Sequence, residues 1–75
     1  MKIAILGTGS WATALSQVLV DNGHETLMYG ISQEEIDDIN LNHQNSRYFK
    51  DVKVDEKIRA TNNLEETIKD ASYIL

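Results

Sequence analysis

The stretch that most restricts this chain is Gly7-Thr8-Gly9-Ser10-Trp11-Ala12, where an apolar run gives way to a segment of different periodicity. Lys2–Leu6 (KIAIL) is short, nearly continuous in apolar residues and bounded by glycine. Such a run reads as a buried strand of a parallel sheet. From Ser10 to Asn22, Trp11, Ala14, Leu15, Val18 and Leu19 recur at i, i+3, i+4, i+7 and i+8. That spacing predicts a helix with those side chains on its inner face. Between the two, Gly7 permits a tight exit from the strand, Gly9 leaves the backbone bare, and Ala12 is small enough for the helix to lie close to the strand.

The alternation continues along the chain. Asn22-Gly23 ends the first helix, and Thr26–Tyr29 (TLMY) reads as a second strand. Ser32-Gln33-Glu34-Glu35 has the form of a capping box, the Ser32 hydroxyl accepting from the Glu35 amide and the Glu35 side chain reaching back. It opens a helix of about ten residues with Ile36, Ile39 and His43 facing inward. Gln44–Glu56 is a long polar loop around Tyr48-Phe49, and Lys57–Thr61 is a weak third strand. Asn62-Asn63-Leu64-Glu65 repeats the cap logic for a third helix with Leu64, Ile68 and Ala71 inward, and Ser72–Leu75 starts a fourth strand. The order β-α-β-α-β-α-β with short connections argues for the α/β class, a parallel sheet covered by helices. The apolar run that begins at Ala71-Ser72-Tyr73-Ile74-Leu75 leads us to expect the N-terminal piece of a longer protein.

Composition removes several alternatives. The chain has no cysteine, hence no disulfide framework and no thiolate metal site. His24 and His43 have no carboxylate placed as a third ligand, so they read as surface or packing residues and no metal is expected. Glu34, Glu35, Asp37 and Asp38 read as a solvated helix face, favourable at a helix start. The net charge is −5 and the seven Lys and Arg are scattered, which argues against a nucleic-acid partner. The first apolar run is far below the about 20 residues of a membrane span and too short for a signal peptide, and a cytoplasmic location fits.

In its strand–turn–helix setting, Gly7-x-Gly9-x-x-Ala12 is the form of a dinucleotide-binding turn. The unpaired amides and positive dipole end of the helix favour an anion there, so the amides around Gly9, Ser10 and Trp11 are candidates for a pyrophosphate. The alternative is a glycine turn that serves topology only. The Trp11 ring has two readings, core packing or a place beside the ligand. Ile31 also has two: a hydrophobic staple with Ile36, or a seat for adenosine just past the second strand. An NAD-selective site usually carries an acid at the end of that strand, but Tyr29-Gly30-Ile31-Ser32 has none. Repulsion of a 2′-phosphate is thus weakened, and Ser32 with Arg47 or Lys50 offers it partners. NADP(H) is therefore expected to be accepted and modestly preferred over NAD(H).

The segments GTGSWATAL and NGHETLMYG, followed by Asn42-His43-Gln44-Asn45-Ser46-Arg47-Tyr48-Phe49, resemble the start of bacterial NAD(P)-dependent glycerol-3-phosphate dehydrogenases. That family opens with a strand and G-x-G-S-[WYF]-[GA]-T-A-L, and later has an N-x-x-Y-L-P-like loop, matched here by Asn45-Ser46-Arg47-Tyr48-Phe49-Lys50. Ala12 stands for the commoner third glycine, Lys50 for the usual proline, and Ile31-Ser32 where His or Arg is frequent. The resemblance implies that residues 1–75 are the first part of an NAD(P)-binding Rossmann domain, a doubly wound parallel sheet, with a helical substrate domain later in sequence. It implies an oxidoreductase interconverting dihydroxyacetone phosphate and sn-glycerol 3-phosphate for phospholipid synthesis, with the catalytic lysine beyond Leu75. A homodimer is compatible with it. The cofactor-binding residues it implies are Gly7, Gly9, Ser10, Trp11, Ala12, Ile31, Ser32 and Tyr48, with no catalytic residue in this stretch. Ketopantoate reductases and 3-hydroxyacyl dehydrogenases share the opening but lack the S-W-x-T-A-L run and the Asn-x-x-Tyr loop. A module that senses NAD(H) without chemistry would look the same here.

Overall fold

The computed structural model describes all 75 residues. Strand β1 (Lys2–Leu6) leads to helix α1 (Ser10–Asp21), strand β2 (Glu25–Tyr29) and helix α2 (Gln33–Asp37). The last of these runs on as a π-helical turn over Asp38–Asn42. After a long loop come β3 (Arg59–Thr61), α3 (Leu64–Ile68) and β4 (Tyr73–Ile74). The expected order of elements is the observed one. The third strand is shorter than its sequence run, and the second helix changes from α to π half-way. His43 lies beyond it, half-buried in the left-handed conformation with φ 55°.

All four strands are parallel, in the order β3-β2-β1-β4. β1 pairs in register with β2 from Lys2↔Glu25 to Leu6↔Tyr29. The chain therefore leaves β1 toward β2 on one side and returns to β4 on the other. A crevice at the C-terminal ends of the strands opens where the winding direction reverses, and that is where α/β sheets take ligands. Gly7 and the start of α1 stand at that crevice. The core is made by Ile3 and Ile5 of β1, Met28 of β2, Ile36 and Ile39 of the second helix, and Ile58 and Ala60 around β3.

The structure corrects the facing of two helices. α1 buries Ala12, Thr13, Ser16 and Val20, while Trp11 and Val18 are exposed and Leu15 and Leu19 half-buried. The helix approaches β1 and β2 through its small residues because only these allow close packing beside the glycine turn. The polar groups on that face are satisfied within the helix: Thr13 Oγ1 donates to the Gly9 carbonyl at 2.8 Å and Ser16 Oγ to the Ala12 carbonyl at 2.9 Å. In α3 the buried residue is Thr67, its hydroxyl bonded to the Asn63 carbonyl, and Leu64 and Ile68 face outward.

Candidate functional site

The turn after β1 takes its shape from glycine. Gly7 has φ 146°, a value side-chain-bearing residues rarely adopt. Gly9 is the N-cap of α1 and donates no side chain to the cap. The first amide of α1 to donate within the molecule is that of Thr13, to the Gly9 carbonyl at 3.0 Å. The amides of Ser10, Trp11 and Ala12 meet no acceptor in the chain. A Cβ on Gly9 would meet no protein atom within 4 Å. The bare backbone at Gly9 is therefore not required by packing inside the chain; it leaves open space in front of unpaired donors. An anionic diphosphate is the group that such donors and the positive end of a helix accept. On this observation the residues present fit a dinucleotide.

The register of β1 with β2 brings the second half of the site alongside. Leu6 pairs with Tyr29, so Gly30, Ile31 and Ser32 emerge next to Gly7 and Thr8. Gly30 is buried against the Thr8 side chain, and a Cβ there would fall 2.6 Å from Thr8 Cγ2. Ile31 is 90% exposed while Ile36 is buried, so the staple between them is absent and the Ile31 side chain stands free at the strand end. Trp11 is 72% exposed, which removes its core-packing reading. Ser32 caps α2, its hydroxyl accepting from the Glu35 amide at 3.3 Å.

The other half of the capping box does not form. The Glu35 carboxylate turns instead to the glycine turn, where Thr8 Oγ1 donates to Oε1 at 3.1 Å and Arg47 donates to Oε2 at 3.3 Å. The Glu35 side chain is only 12% exposed, so it is not part of a solvated face. The Arg47 guanidinium lies 5.7 Å from the centre of the Tyr48 ring, and Tyr48 is partly exposed. Tyr48 is held through its amide, which donates to the Asn45 carbonyl at 3.0 Å.

Asn45 is fully buried. Its Nδ2 donates to the Thr8 carbonyl at 2.7 Å and to Thr13 Oγ1 at 2.9 Å, so the polar loop is tied into the glycine turn. Asp38 anchors that loop from its other side. Its carboxylate accepts from the Ser46 amide and from Asn42 Nδ2, both at 2.9 Å. The Ser46 amide first, then Asn42, holds this carboxyl below its ordinary 3.8, with a smaller contribution from the charge of Lys53. Between α2 and the loop lies a cleft of about 810 Å³ lined only by polar and charged residues. Glu34, Glu35, Asp37 and Asp38 line it together with Ser32 and Arg47, and the unpaired amides suited to a pyrophosphate lie instead at the start of α1.

Of the residues singled out in the sequence, Gly7, Gly9, Ser10, Trp11 and Ala12 share one turn, and Ile31 and Ser32 stand beside it. Tyr48 reaches the group through Asn45 and through Arg47. The site also uses Thr8, Thr13, Gly30, Glu35 and Asn45. Gly30 had a signal, a glycine directly after the apolar run of β2. Glu35 was masked by its acidic neighbours.

Residues 2–75 match the family model described as NAD-dependent glycerol-3-phosphate dehydrogenase N-terminus. The chain belongs to that family. It is 64% identical, over 99% of its length, to a Streptococcus uberis protein named glycerol-3-phosphate dehydrogenase [NAD(P)+]. It is 55% identical, over the same share, to the protein of that name from Lactococcus lactis. The chain spans 22% of each of these relatives. Among solved structures it is similar to glycerol-3-phosphate dehydrogenase from Plasmodium falciparum, with a TM-score of 0.85 and 35% identity over 99% of this chain and 23% of that one. The Coxiella burnetii enzyme gives a TM-score of 0.86 and 30% identity over 97% of this chain and 22% of that one. These likenesses agree with the Rossmann-type sheet described above.

Proposed function

We propose that these residues are the opening portion of the NAD(P)-binding domain of a glycerol-3-phosphate dehydrogenase, and that a helical substrate domain follows later in sequence. The enzyme interconverts dihydroxyacetone phosphate and sn-glycerol 3-phosphate, in the cytoplasm, as a supply for phospholipid synthesis. Its partner is a small molecule; the scattered cations speak against nucleic acid, and a homodimer is compatible with the reading. The observation that carries it is the set of unpaired amides at Ser10, Trp11 and Ala12 facing open space at Gly9.

The amides of Gly9, Ser10 and Trp11 hold the pyrophosphate, Gly7 and Ala12 shape the turn, and Ile31, Ser32 and Tyr48 border the adenosine end. The reduced cofactor, when bound, supplies the hydride that reduces the ketone of the triose phosphate. The proton for the new hydroxyl comes from a group outside residues 1–75. Glu35 does not repel a 2′-phosphate as a free acid would, because its oxygens are engaged by Thr8 and Arg47. Ser32 and Arg47 lie along the same cleft and give a 2′-phosphate its partners, which supports a modest preference for NADP(H). Oxidation of NADPH or NADH by the full-length protein with dihydroxyacetone phosphate tests the reading. Turnover is expected with both cofactors, and none with either would refute it.

A further inference from the structure

The peptide between Thr8 and Gly9 is fixed by neither β1 nor α1. It lies after the β1 ladder and before the first helical hydrogen bond, which the Gly9 carbonyl accepts. With Gly7 on one side and Gly9 at its own end, rotation of this plane is cheap. Its orientation matters, because in a planar trans peptide the C=O and N–H point to opposite sides. All peptides in the chain are trans.

Asn45 fixes that plane from a distance of 37 residues in sequence. Its Nδ2 donates to the Thr8 carbonyl at 2.7 Å, which turns the Gly9 N–H away from Asn45. The Gly9 amide meets no acceptor within the chain. The second proton of Nδ2 goes to Thr13 Oγ1, whose own proton goes to the Gly9 carbonyl. One buried amide thus braces two consecutive carbonyls of the turn, Thr8 directly and Gly9 through Thr13. Asn45 Oδ1 is buried and has no donor, so the side chain is engaged through its N–H groups alone. An aspartate would bring a second acceptor against the Thr8 carbonyl, and a serine is too short to span both partners.

We propose that Asn45 is a positioning residue for the dinucleotide: by holding the Thr8 carbonyl inward, it presents the Gly9 amide to the pyrophosphate. The assignment rests on the dinucleotide reading above. It also gives a function to the loop after the second helix beyond the contacts of Arg47 and Tyr48.

The test uses the full-length protein and its Asn45→Leu, Asn45→Asp, Thr13→Val and Thr13→Ser variants, titrated with NADPH and with NADH by calorimetry. Asn45→Leu should raise the cofactor Kd about tenfold, the worth of one hydrogen bond to a buried group. Asn45→Asp should raise it further. In both, the KM for dihydroxyacetone phosphate and the kcat at saturating cofactor should stay within about threefold of the parent. A residue that merely supports folding would lower all of these together with the folded fraction seen by circular dichroism. Thr13→Val should weaken cofactor binding, whereas Thr13→Ser, which keeps the hydroxyl, should bind as the parent does. The Thr13 pair decides the matter if the Asn45 variants do not fold. Parent-like Kd in both Asn45 variants, or equal Kd in the Thr13 pair, would overturn the proposal. A parent that binds neither dinucleotide would instead sink the reading on which it rests.

Discussion

A Cβ built on Gly9 touches nothing in the protein, whereas one built on Gly30 collides with Thr8, whose hydroxyl is held by Glu35. The two glycines are therefore separable by mutation. Gly9→Val should leave the circular dichroism and melting temperature nearly unchanged, since φ −73° and ψ −174° suit any residue, yet abolish dinucleotide binding. Calorimetric Kd within threefold of the parent would contradict this. Gly30→Ala should behave in the reverse way at first, costing about 1–3 kcal/mol in a denaturant titration through overpacking against Thr8. Cofactor choice belongs to the same scale. Ser32→Asp keeps an N-cap acceptor for α2 and adds the missing negative charge near a 2′-phosphate. The ratio of NADPH to NADH affinity should fall in this variant. In the parent, a preference for NADH above about tenfold, or 1.4 kcal/mol, would refute the proposed selectivity.

The second helix and its loop act as one element because Asp38 closes them on each other. The sign of its pH dependence follows from the depressed pKa. The latch is fully present above the unfolded value of about 3.9 and is lost as pH falls through the lower folded value. Between about pH 5 and pH 2 the parent should lose more stability than Asp38→Ala, and the Ser46 amide should exchange faster in the variant at neutral pH. Equal acid profiles for the two proteins would show that the carboxylate does not hold the loop. At this scale the limits of sequence reading are also plain. The ends of β1 and the cap Ser32 are legible because their causes lie within four residues, whereas the third helix is capped by Asn63, one residue beyond the start of the Asn62–Glu65 box that the sequence suggests. The inward face of α1 was misread because large apolar side chains outweighed Ala12, Thr13 and Ser16, and only the approach to the sheet decides between those faces. Glu35 and Asn45 were not legible as site residues, since their partners lie 27, 32 and 37 positions away and no local pattern encodes them. The glycine turn was legible because its signal, a bare backbone between strand and helix, is both local and functional.

The 75 residues form a compact body, with a radius of gyration of 10.9 Å against roughly 11 Å for a compact chain of this length. Their surface nonetheless keeps many large apolar side chains open. Only 18 of 75 residues are buried, and Leu6, Trp11, Val18, Tyr73, Ile74 and Leu75 are among the large apolar side chains left exposed. β4 pairs with β1 over two residues and leaves its other edge unpaired. Burial of this extent offsets the conformational entropy of 75 residues by a narrow margin. The isolated stretch should accordingly melt below about 65 °C, bind a dye that reports exposed apolar surface, and be stabilised by added NADPH through its binding to the folded state. It should show no turnover of dihydroxyacetone phosphate at any concentration, because no lysine or histidine side chain bonds to a residue of the glycine turn, and the Glu35 and Asp38 carboxylates are committed to Thr8, Arg47 and the loop. Dose-dependent oxidation of NADPH by the purified stretch would contradict the division of labour proposed here, in which this part binds the dinucleotide and later sequence supplies the chemistry.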